Sequence, residues 1–183
     1  MHKGILTSLT VGAVISISIA APQVAAAKCD KFPGVSERIK VQAEPRVVYE
    51  CIRAMRYKPD SHVKELKNTE REATLEEHFS KLPIVGSATC TYTEKYTNDK
   101  EVAYKMVSSD KFKAFEGKWE LTELPDEKAT EVSLQSFVLL DLPVPFLRQI
   151  TNTQTIKGVR ERLAEVKKLA EAKATASTGN TIK

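Results

Sequence analysis

Residues 132–166 read VSLQSFVLLDLPVPFLRQITNTQTIKGVRERLAEV, and the hydrophobic period changes inside them. As far as Leu140 the apolar positions recur every second residue: Val132, Leu134, Val138 and Leu140 share one side with Ser136. That is the pleat of a strand. Pro143 and Pro145 end it, because proline offers no N–H to a ladder. Beyond them Phe146, Ile150, Ile156, Val159, Leu163, Val166 and Ala170 lie along one helical stripe. Arg160, Glu161, Arg162, Glu165, Lys167 and Lys168 fall on the opposite face. Thr151 to Thr155 is poor in helix formers, so the helix is expected to begin weakly and to firm up beyond Ile156.

Working upstream, the period of two persists. Phe115, Gly117, Trp119 and Leu121 share a face, then Val102, Tyr104 and Met106. Residues 86–96 alternate Ala88, Cys90, Tyr92, Glu94 and Tyr96 against threonines, a composition suited to pleated surfaces. Residues 71–82 place Ala73, Leu75, Glu77 and Phe79 together. Asn98-Asp99-Lys100 and Pro125-Asp126-Glu127-Lys128 read as turns. Before this run, Ile39, Val41 and Ala43 predict a first strand over residues 36–43. Pro45 then suits a first helical turn, where its missing N–H would be unpaired anyway. Val47, Val48, Cys51, Ile52 and Met55 extend that helix over 45–56, and residues 61–66 are expected to add a turn or two.

The predicted fold class is α+β: a curved antiparallel sheet of six or seven strands wrapped around a long C-terminal helix, with one or two short helices after the first strand. The C-terminal stripe is the only segment long enough to cover the sheet. Such a covered sheet leaves room for a cavity, and so for an apolar molecule.

The first 27 residues are set apart from the fold. Lys3 precedes an apolar stretch over residues 5–21, Pro22 breaks it, and Ala25-Ala26-Ala27 offers small residues for cleavage. They read as a cleaved signal peptide, which makes the protein exported, periplasmic or secreted, with no stable membrane span once the signal is gone. Lys28 stands where a lipoprotein motif needs a small residue. Residues 28–34 read as an irregular segment, 35–172 as one domain and 173–183 as a disordered tail. The remaining 156 or so residues suffice for a proper core. The net charge of +4 falls to +3 without Lys3, with both signs mixed along the chain. No clustered basic face points to nucleic acid. Cys29, Cys51 and Cys90 allow one disulfide among three pairings in an oxidising compartment. Cys51 sits among apolar neighbours and reads as a small buried hydrophobe. The sequence sets neither the pairing nor the oligomeric state.

Ala43-Glu44-Pro45 leading into Val47-Val48-x-x-Cys51-Ile52, together with Gly117-Lys118-Trp119-Glu120-Leu121, the following Thr130-Glu131-Val132 strand and the Val159-x-x-x-Leu163 helix, resembles the START-like (SRPBCC, helix-grip) superfamily, including its polyketide cyclase and coenzyme Q-binding branches. The resemblance covers residues 35–172. It implies seven strands curled around the last helix, with a deep ligand cavity between. Six strands are clear; a seventh is expected from a split near Ser87 or Ser109.

On that arrangement the sheet side of the cavity would be Phe79, Tyr92, Tyr104, Met106 and Phe115 with Trp119, Leu134 and Val138. Ile156 and Val159 would face them from the helix. This lining would hold a hydrophobic small molecule (a lipid, quinone or polyketide-like compound), with Tyr hydroxyls to orient it. Glu77 and Glu94 stand on the same faces and are expected at strand ends or the mouth, in water; inside, either could serve as a base. Gly117 reads as a bend in the sheet or as room for a ligand. No phosphate loop, dinucleotide fingerprint, nucleophile elbow or metal-ligand spacing occurs. The sequence therefore offers no catalytic residue, cofactor or metal, and reads as a binding protein; the alternative is a cyclase/dehydrase-type enzyme using a cavity Tyr or Glu.

Overall fold

A computed structural model describes residues 34–82, 84–143 and 145–179. The expected leader, Cys29 and most of the irregular segment lie outside the described residues. β1 (Val35–Val41) leads into α1 (Pro45–Ala54), which closes in a 3-10 turn at Met55–Tyr57. Six further strands follow: β2 (Val63–Asn68), β3 (Glu72–Leu82), β4 (Gly86–Thr97), β5 (Glu101–Ser109), β6 (Phe112–Leu124) and β7 (Ala129–Leu140). The chain ends its described part in α2 (Leu147–Gly179). The sheet order is β1-β7-β6-β5-β4-β3-β2, with every neighbouring pair antiparallel. The register slips at Glu65/Lys67, Ser80/Leu82, Thr91/Tyr92 and Phe112/Ala114. Each slip bends and twists its strand, and the sheet curves.

Alternation in the sequence becomes burial. Val102, Val132, Leu134 and Leu75 are sealed on the concave face, and Val159, Leu163, Val166 and Ala170 meet them from α2. The helix lies against β1, β7 and α1. Val48, Cys51 and Ile52 bury one side of α1. Thr130, fully buried between these layers, donates its hydroxyl to the Ala43 carbonyl at 2.7 Å. This is the expected α+β architecture, a seven-stranded antiparallel sheet gripping its C-terminal helix.

Several local expectations are corrected. Residues 61–66 do not continue a helix: they belong to β2, with Val63 and Glu65 half-buried and Lys64 and Leu66 exposed. The Lys-Glu-Leu-Lys composition favours a helix in isolation, and pairing to the edge of β3 overrides it. This strand is the seventh, so no split near Ser87 or Ser109 is needed. Thr151 to Thr155 is helical without interruption. Thr153 and Thr155 donate their hydroxyls to the carbonyls four residues back, at 3.0 and 2.8 Å. Phe146 is outside the buried stripe, 74% exposed with φ +58, and Leu147 takes the buried place. The expected disordered tail is helical over residues 173–179: Ala174 packs on the core, and Lys173 reaches Glu50 at 2.7 Å. Residues 180–183 lie outside the described residues. Cys51 and Cys90 are buried free thiols, so no bridge joins them, and burial pushes the Cys90 thiol up to about 12.

Gly117 has a third explanation. It pairs with Tyr104 across β5 and β6, and the Tyr104 ring lies over it. A Cβ at this position would stand 2.1 Å from the Gln135 carbonyl oxygen and 2.5 Å from the Tyr104 hydroxyl. The glycine makes room for a tyrosine, which in turn covers the glycine. Gly117→Ala is therefore expected to destabilise the domain by about 2–3 kcal/mol through overpacking, read as a lower midpoint in denaturant with an unchanged slope. A midpoint equal to that of the parent protein would contradict the close approach.

Candidate functional site

α2 covers the β1–β7 side of the sheet, and a cavity of about 420 Å³ opens between it and the rest. On the sheet side Phe115 is the hub of an aromatic wall. Its ring centroid lies 5.0 Å from Tyr104, 5.3 Å from Tyr92, 5.6 Å from Phe79 and 5.9 Å from Phe112. Leu134, Val138 and Leu140 continue the wall along β7. The opposite wall is the face of α2 that carries Thr151, Thr155, Gly158, Val159 and Arg162. A Cβ added to Gly158 would meet nothing within 4 Å. A mid-helix glycine costs about 1 kcal/mol relative to alanine, and here its missing side chain leaves the cavity open.

At the inner end of this space Arg162 turns inward. Its Nη2 donates to Glu77 Oε1 at 2.8 Å, and the Tyr92 hydroxyl donates to Glu77 Oε2 at 3.1 Å. The Glu77 carboxylate beside it holds the guanidinium firmly charged. Tyr104 donates to Ser136 Oγ at 2.9 Å, and burial pushes its phenol upward. Around the mouth Ile84 and Ile150 are exposed apolar lining residues. Lys81 and Ile84 both have left-handed backbone, φ +58 and +76, a conformation that a β-branched residue such as Ile84 rarely adopts.

A second space, about 370 Å³, lies beyond this pair, between α1, the start of β2 and the middle of β3 and β4. Phe79, Ser80 and Arg162 line both spaces. Arg56, 5% exposed, sits 3.2 Å from Glu94 Oε2 and donates to the Tyr96 hydroxyl at 2.8 Å. Tyr96 passes its own proton toward Glu94 at 3.0 Å and is pushed up to about 12, chiefly by burial. Burial also raises the Glu94 carboxyl, against the pull of Arg56.

Of the predicted lining residues, Phe79, Tyr104, Phe115, Leu134, Val138 and Val159 line the first cavity. Tyr92 and Trp119 line the second. Met106 pairs with Tyr92 beyond a register slip and packs on the core edge, and Ile156 is half-buried one step around the helix from Thr155. Glu77 and Glu94 are not in water: their side chains are 12% and 16% exposed, each against an arginine. Arg162 does not lie on the outward face expected for it. It follows Gly158 by four residues and Val159 by three, so it shares their face. Two acids on inward strand faces were the available signal that cations turn inward to meet them, Arg56 buried and Arg162 half-buried.

Among the described residues no group of side chains has the makings of a metal site, and no helix is long and apolar enough to cross a membrane.

No family model matches the sequence, and no curated protein matches it significantly. Solved structures do resemble it. The Thermus thermophilus protein TTHA0849 superposes with a TM-score of 0.66 at 17% identity, over 78% of this chain and 99% of that one. The aromatase/cyclase Zhui from a Streptomyces strain gives 0.58 at 17% identity, over 75% and 92%. A START superfamily protein from Mycobacterium smegmatis gives 0.54 at 16% identity, over 78% and 97%. Element order, sheet topology and these superpositions agree: the chain has the START-like helix-grip fold.

Proposed function

We propose that this protein is an exported carrier that holds a hydrophobic small molecule, a lipid, quinone or polyketide-like compound, between its sheet and α2. The observation that carries this reading is the cavity of about 420 Å³, walled by aromatic and aliphatic side chains and kept open by Gly158. Its size lies within the range of small-molecule sites. A packed domain of this size has no need of such a void, since interiors otherwise reach crystal-like density. The exposed Ile84 and Ile150 at the mouth give an apolar ligand a path that is never fully wet. Export rests on the leader pattern of residues 1–27.

A second reading, cyclase/dehydrase chemistry, draws on the likeness to aromatase/cyclases. The cavity groups favour holding over proton transfer. Both oxygens of Glu77 are already bonded, and the Tyr104 phenol is raised by burial and engaged with Ser136.

Gly158→Leu places a good helix former where a side chain meets open space. It is expected to keep or raise stability, by up to about 1 kcal/mol, while cutting uptake of an uncharged fluorescent probe such as N-phenyl-1-naphthylamine about tenfold. Undiminished uptake in the folded variant would place the probe elsewhere and contradict the site. For export, amino-terminal sequencing of protein from its own cells should begin at Lys28; an intact leader in the cytosolic fraction would contradict it.

A further inference from the structure

The second space differs from the first in chemistry. Arg56, Lys58 and Arg162 face it, and so do Asp60, Glu77, Glu94 and Glu165. The cations are already matched: Arg162 to Glu77, Arg56 to Glu94, Lys58 to Glu165. Arg56 Nη1 is nonetheless buried without a hydrogen-bond partner, its nearest carboxylate oxygen, on Glu65, lying 3.5 Å away. Of the five donors on Arg162, one is committed to Glu77. Arg56 Nη1 has no accessible surface and faces Glu65, which is not part of this wall, so the unspent donors the wall offers are those of Arg162, beside carboxylate lone pairs and with no surplus of positive charge.

An anionic group entering such a space gains little. It would lose its hydration, find each cation neutralised, and meet carboxylates at close range in a poorly screened setting. A hydroxyl-bearing group can accept from a guanidinium and donate to a carboxylate without adding charge.

We propose that the second space takes the polar end of an amphiphile whose apolar body lies in the first, and that the end it selects is uncharged and hydroxyl-bearing rather than a carboxylate or phosphate. The inference rests on the carrier reading of the first cavity. Arg162, which lines both spaces, stands where body and head would join. Trp119 lines the second space and is the sole tryptophan, so its fluorescence reports on the head group.

The test is a titration of the full chain at neutral pH with monoolein and with oleate, which share one acyl chain and differ in the head. Monoolein is expected to bind about tenfold more tightly than oleate and to shift Trp119 emission. A variant carrying Glu77→Gln and Arg162→Gln together removes the pair without leaving a lone buried charge, and such replacements are commonly tolerated. In it the preference should fall to about threefold or less, read as the ratio of the two affinities within the folded variant, so that any change at the first cavity, which both lipids share through the same acyl chain, cancels. Oleate binding as tightly as monoolein, or monoolein binding with Trp119 unmoved, overturns the proposal in the parent protein alone. Uptake of the naphthylamine with refusal of both lipids overturns it too, and leaves the carrier reading standing. Refusal of all three probes sinks the carrier reading itself.

Discussion

One helix has to cover a sheet of seven strands, and it is not wide enough. Strands about 4.8 Å apart would make a flat sheet of about 29 Å, whereas a helix with its side chains spans about 10–12 Å. Register slips curl the sheet and α1 covers part of one side, but a gap remains. The rotational setting of α2 decides where. Val159, Leu163, Val166 and Ala170 lock onto the core, with the helix lying along β1 and β7, so the unfilled volume falls toward β3, β5 and β6. Everything at the site follows from that offset. Gly158 and Arg162 face the gap because they share a face with Val159, and the aromatic side chains around Phe115 form the far wall because α2 does not reach them.

The polar residues inside the grip follow a related logic. Glu77 and Glu94 on inward strand faces would be costly alone, since burial disfavours the charged form. Each is met by an arginine from a helical segment, Arg162 on α2 and Arg56 in the turn after α1. The pairs therefore tie the two helical elements to the sheet at defined points. Their worth lies more in orientation than in stability, because desolvation offsets most of the attraction between buried charges. They also divide the interior into an apolar chamber and a polar one, which a uniformly hydrophobic lining would not do.

Much of the architecture was readable from alternation and its change of period at Pro143-Val144-Pro145. The strand faces carrying Leu75, Cys90, Val102, Trp119 and Leu134 are buried as the period of two requires. Local composition misled where pairing or packing outweighs it. Lys64 to Lys67 has helical composition and forms an edge strand, and the small polar residues from Ala174 continue a helix whose earlier turns are anchored. At the site the aromatic wall was legible because aromatic residues on an inward face have few other places to go. Arg162 was not, since a charged residue at the margin of an apolar stripe is ordinarily solvated, and only the opposing Glu77 distinguishes it. Gly117 and Gly158 look alike in sequence; one lies under a tyrosine ring and the other borders open space, a difference that only three-dimensional neighbours create.

The gap beside α2 should be occupied in the cell. The most direct measurement is solvent extraction and mass spectrometry of the protein purified from its own cells. About one apolar or amphiphilic molecule per chain should be recovered. A chain that emerges empty, and takes up nothing when incubated with a lipid extract of the same cells, would contradict the account.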